Sequence, residues 1–85
     1  MRLKLFEPVR LLLAGQAARA HLLDLSVTGA LVHCDSPPCV GDHVLIETNA
    51  LGVKGQVMWV RVKRFGVHFD QPLPQLTVDR VVRGD

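Results

Sequence analysis

Glycine and proline cut this chain into short apolar pieces, and that punctuation limits the fold more than any other feature. Breaks fall at Ala14-Gly15, at Asp24 to Gly29, at Asp35-Ser36-Pro37-Pro38 with Gly41-Asp42, at Asn49-Ala50-Leu51-Gly52, at Lys63-Arg64 and at Gln71-Pro72-Leu73-Pro74. Two consecutive prolines remove two backbone donors, so Pro37-Pro38 cannot lie inside a central strand. The pieces between the breaks, 8–13, 16–25, 29–34, 43–48, 53–62 and 65–70, are rich in Val, Leu and Ile. Several alternate with period two, the signature of half-buried strands. Six short strands with turns at fairly regular spacing predict an all-β fold, a small antiparallel β-barrel or a sandwich. The expected core includes Val32, Val44, Ile46, Val57, Val67 and Phe69. Strict alternation in the fifth strand puts Gly55, Val57, Trp59 and Arg61 on one face. After the last break, 76–83 is the one candidate for a short helix, although its Val and Thr content works against it.

Eighty-five residues make one domain, with the barrel over 8–70 and a tail or short helix over 71–85. A chain this small has a marginal core, offset here by 48% apolar residues. The formal net charge of +2 is too small a bias to argue for duplex nucleic acid or a membrane surface. One Trp, no Tyr and three Phe leave few platforms for stacking single-stranded bases. No DNA or RNA partner is therefore expected. No apolar run is long enough to span a bilayer. The first eight residues lack a long apolar segment followed by a small-residue cleavage site. The expectation is a soluble cytoplasmic protein.

The polar stretch Asp24-Leu25-Ser26-Val27-Thr28-Gly29 stands between two apolar runs. Asp24 and Ser26 are two residues apart, so on an extended strand end both side chains leave the same face. Gly29 falls where a chain reversal calls for a residue without a Cβ. The commonplace role for such residues is to bond turn amides. The alternative is a carboxylate and a hydroxyl presented together to a ligand. No catalytic arrangement competes with either role. Asp24, Ser26 and His21 or His68 hold the residue types of a hydrolase triad, but Gly-x-Ser-x-Gly is absent. Cys34 and Cys39, flanked by His33 and His43, do not match a zinc spacing, and adjacent His33 and Cys34 point to opposite strand faces. Neither a metal nor a cofactor is expected, and the protein is not expected to be an enzyme. Cations occur as a sparse N-terminal set (Arg2, Lys4, Arg10), Arg19 on the second strand, and a cluster of Arg61, Lys63 and Arg64. Arginine forks suit phosphate, and a carboxylate with a hydroxyl suits a guanine edge.

The sequence resembles the PilZ domain family. Asp24-x-Ser26-x-x-Gly29 matches that family's (Asp/Asn)-x-Ser-x-x-Gly motif at every fixed position. Ala30-Leu31-Val32, the proline-rich loop and Gly41 resemble the segment that follows it. Gly55-x-Val57-x-Trp59 and Gly66-Val67-x-Phe69 resemble the last two strands. The resemblance covers about residues 8–70. It implies a six-stranded antiparallel barrel that binds the bacterial second messenger cyclic di-GMP and signals to a downstream protein partner. In the family, an N-terminal Arg-x-x-x-Arg segment grips the phosphates and stacks on guanine, and the motif residues complete the site. Here Asp24, Ser26 and Gly29 carry the motif. No Arg-x-x-x-Arg precedes Asp24, and Arg2 and Arg10 are the N-terminal arginines available as ligand contacts. On the family pattern, the N-terminal set should matter more than the cluster at the end of the fifth strand. A second reading keeps the barrel but makes it a protein-interaction adaptor that does not bind the nucleotide.

Overall fold

The computed structural model describes residues 6–48 and 52–83. Arg2, Lys4 and the expected turn at 49–51 lie outside the described residues. Six strands follow in order: β1 (Glu7–Leu13), β2 (Gln16–Leu25), β3 (Gly29–His33), β4 (His43–Glu47), β5 (Gly52–Arg61) and β6 (Arg64–Phe69). A helix, α1 (Gln75–Arg83), ends the described chain. The strands form a closed antiparallel barrel in the order β1-β2-β3-β6-β5-β4, with β4 returning to β1. Every expected strand is present, with ends shifted by a residue at most.

Period-two patterning fills the interior. Val9 and Leu11 from β1, Leu22 from β2, Val32 from β3, Val44 and Ile46 from β4, and Phe65, Val67 and Phe69 from β6 are all buried. Val57 joins them from β5, so all six residues expected in the core are there. Each such side chain contributes about 1.5–3 kcal/mol when fully buried. The helix adds Val78 and Val81 to the same cluster. Residues 78 and 81 are one helical turn apart and so share a face, whereas Leu76 points outward and is exposed. Thr77 and Val78 donate their amides to the Pro74 carbonyl and start the helix. Burial of that valine face outweighs the poor helix propensity of Val and Thr.

Two bulges interrupt the alternation. The β2–β3 register shifts between Leu22 and Asp24, and the β5–β6 register shifts between Val57 and Trp59. An extra residue reverses the facing of everything beyond it. In β5, Val53, Gly55 and Val57 are buried, then Met58 and Trp59 are both exposed, and Arg61 points outward. Gly55 and Val57 therefore do not share a face with Trp59 and Arg61, as strict alternation predicts; the bulge at Met58 separates them.

The two-residue hairpin turns carry positive φ at non-glycine residues. Ala14 and Gly15 have φ of 50° and 80° in the β1–β2 turn, the sign pattern of a type I′ turn. Val62 has φ of 57° at the first position of the β5–β6 turn, where glycine is favoured. A β-branched residue tolerates that region poorly. Val62 is also 84% exposed, so it gains little burial in return. Val62→Gly should therefore stabilise the domain by about 1 kcal/mol, because relief of αL strain exceeds the entropy of the added glycine. The corresponding rise in Tm is about 4–8 °C, and a melting curve that falls instead would show the turn to be unstrained.

Candidate functional site

The β2–β3 turn is built from its own polar side chains. Ser26 donates its amide to the Gly29 carbonyl at 2.9 Å, closing the turn. Its hydroxyl accepts from the Gly29 amide at 3.1 Å and lies 3.2 Å from the Gly29 carbonyl, in position to donate to it. The Asp24 carboxylate accepts the Leu25 amide at 2.9 Å. Both side chains thus bond turn amides.

Gly29 is required for a reason other than a left-handed backbone. Among the described glycines, positive φ occurs at Gly15 and Gly41 and not at Gly29. A Cβ on Gly29 would instead lie 2.5 Å from the Val67 carbonyl oxygen across the β3–β6 ladder. Backbone fills the space that a side chain would need. The turn is anchored from behind as well: Phe69 donates to the Thr28 carbonyl at 2.9 Å and Leu73 to the Val27 carbonyl at 2.8 Å. The leader of α1 is therefore bonded directly to the motif.

This turn forms one wall of an open groove of about 410 Å³. Asp24, Ser26 and Gly29 line it together with Trp59, Gly66 and His68. The β5 bulge brings Trp59 there by turning it outward. Gly66, opposite Trp59 in the β5–β6 register, has no side chain, and the indole lies over its backbone; a Cβ on Gly66 would collide with the Trp59 ring. Trp59 as a whole is 44% exposed. The groove thus joins a carboxylate, a turn hydroxyl, an imidazole and an aromatic face, a set suited to a planar polar ligand that both stacks and offers hydrogen-bond donors.

Of the residues expected at a site, Asp24, Ser26 and Gly29 come together in the groove. Arg10 is not among its lining residues. It lies on β1 opposite Arg19 on one side and Glu47 on the other, with its guanidinium 3.9 Å from the Glu47 carboxylate. His68 and Met58 line the groove without having been expected there. His68 was within reach of sequence reasoning, since it alternates with Val67 and Phe69 and pairs with Gly29. Met58 was not, because only the bulge exposes it. The buried Cys34 and exposed Cys39 are free thiols.

Gly29→Ala should destabilise the domain by roughly 1–3 kcal/mol in denaturant unfolding, since the β6 backbone must move to admit the methyl group. Gly66→Ala, by contrast, meets a side chain that can swing away. It should shift the emission of Trp59, the only tryptophan, with a smaller loss of stability. Unchanged emission would show that the ring does not rest on Gly66.

Comparison with curated proteins gives no match to this chain. The family model for the PilZ domain matches residues 1–84, nearly the full length. That match agrees with the closed six-stranded barrel and with a groove built on Asp24-x-Ser26-x-x-Gly29, and the chain belongs to the PilZ domain family.

Proposed function

We propose that the protein is a cyclic di-GMP receptor, a binding module without catalytic chemistry, whose ligand occupies the groove beside the β2–β3 turn. The observation that carries this reading is the convergence of Asp24, Ser26 and the Trp59 face on one open groove. Guanine offers N–H donors along one edge and a π-face above and below it. A carboxylate such as Asp24 accepts from those donors and discriminates against bases that lack them. An indole face contributes about 1–3 kcal/mol per stacked base. Membership of a family of cyclic di-GMP-binding signalling modules supports the same assignment.

The path of the signal follows from the hydrogen bonds behind the turn. A ligand that tightens the turn acts on the Val27 carbonyl and, through Leu73, on the leader of α1. A downstream protein partner that reads α1 or the groove rim would sense occupancy. The cytoplasm is the compartment in which such a receptor would work. No helix among the described residues is long and apolar enough to cross a membrane.

Calorimetric titration with cyclic di-GMP tests this reading, with heats saturating for wild type. Asp24→Ala should weaken binding by about 1–3 kcal/mol while costing less in stability, because it removes an acceptor from the ligand. Ser26→Ala should lower both affinity and Tm, since the hydroxyl holds the Gly29 amide and also faces the Gly29 carbonyl. Wild type that gives no heat would favour the adaptor reading, and Asp24→Ala would then show only the small loss of stability that goes with its bond to the Leu25 amide.

A further inference from the structure

The outer face of the barrel carries a row of cationic and imidazole side chains one step from the groove. His21 pairs with His33 across β2–β3, His33 with Arg64 across β3–β6, and Arg64 with Arg61 across β6–β5. Their neighbours Ala20, Leu22, Val32 and Phe65 are buried, so these four side chains face out. The groove has its own row: Asp24 pairs with Leu31, Leu31 with Gly66, and Gly66 with Trp59. On β3, β6 and β5 the two rows are two residues apart, roughly 7 Å along the strand. That distance is within reach of an extended arginine side chain.

Arg10 occupies a different row. Its partner Arg19 is two residues beyond His21, away from the groove, so Arg10 stands two rows out, roughly 14 Å from the groove row. It also leans towards Glu47. Lys63 leans towards Asp35 at 3.6 Å. Among the described residues, neither Arg61 nor Arg64 makes an ion pair. The net charge of +2 thus conceals a local concentration of unneutralised arginine beside the aromatic floor.

We infer that Arg64 and Arg61, with His33 beside them, form a phosphate-binding row that extends the groove past its own lining. They would take the role that the resemblance assigns to an N-terminal arginine pair, and the inference rests on the cyclic di-GMP reading above. The ligand would lie along the strands, with a guanine between Asp24 and Trp59 and a phosphodiester at the arginine end. A guanidinium fork bonds phosphate oxygens in pairs, and here two forks approach from adjacent strands.

The test is calorimetry with cyclic di-GMP on wild type, Arg61→Gln, Arg64→Gln, the double variant and Arg10→Gln, with circular dichroism and Tm recorded for each. Exposed arginines on strand faces should leave Tm near wild type. Each single change in the row should weaken binding about tenfold or more and the double change about a hundredfold, and Arg64→Gln should cost more than Arg10→Gln. Variants of the row that bind like wild type, or Arg10→Gln costing the most, would overturn the inference. A parallel titration with inorganic pyrophosphate, followed by Trp59 emission and arginine side-chain NMR, separates the two claims. If wild type binds pyrophosphate through Arg61 and Arg64 but not cyclic di-GMP, the cyclic di-GMP reading fails and the row stands as an anion site. If wild type binds neither, both fail.

Discussion

Three residue pairs between β1 and β4 turn an open six-stranded sheet into a barrel: Arg10 with Glu47, Leu11 with Ile46 and Leu12 with Leu45. The rest of the structure depends on that short seam. Leu11 and Ile46 meet inside it and are nearly fully buried. Arg10 and Glu47 meet outside it, where an exposed ion pair at 3.9 Å adds at most about 1 kcal/mol. The apolar pair therefore carries the closure, and the charged pair marks its register. Once closed, the barrel fixes which outer residues of β2, β3, β6 and β5 stand beside one another, and the groove is made from those four strands and the β2–β3 turn.

Strand number, strand order along the chain and most of the interior were legible in the sequence, because each rests on local patterning. Val32, Val44, Ile46, Val57, Val67 and Phe69 could be assigned to the core from period-two spacing alone. Alternation failed where the backbone inserts a residue. Nothing in Gly55-Gln56-Val57-Met58-Trp59 announces that Met58 and Trp59 both face out; that depends on how β5 pairs with β6. The helix was obscured for a related reason. Its Val and Thr residues favour strands locally, and the contact of Val78 and Val81 with the barrel reverses the preference.

The motif shows the same division. Asp24, Ser26 and Gly29 were identifiable by residue type and spacing, and they do share one turn. The physical need for Gly29 was not identifiable, since it arises from the carbonyl of Val67, thirty-eight positions away in the chain. Nor could the sequence distinguish Arg10 from Arg61 and Arg64 as neighbours of the groove. The family pattern pointed to the N-terminal residue, whereas cross-strand register brings the hairpin arginines closer. Ser26 shows why a binding motif and a folding motif can coincide. Its hydroxyl holds the turn that presents it.

Closure of the barrel has a further consequence for any partner. An open sheet ends in a strand whose amides and carbonyls can recruit an extended peptide by adding it as another strand, and many signalling domains recognise their targets in that way. Among the described residues the seam offers no such edge over Arg10–Leu12 and Leu45–Glu47, where β1 and β4 pair with each other. A protein that docks along that seam would recognise side chains, through shape and charge, rather than borrow the ladder of backbone hydrogen bonds. Specificity then resides in surface residues that can change one at a time without unpicking the fold. The same scaffold can keep its architecture while its choice of partner drifts.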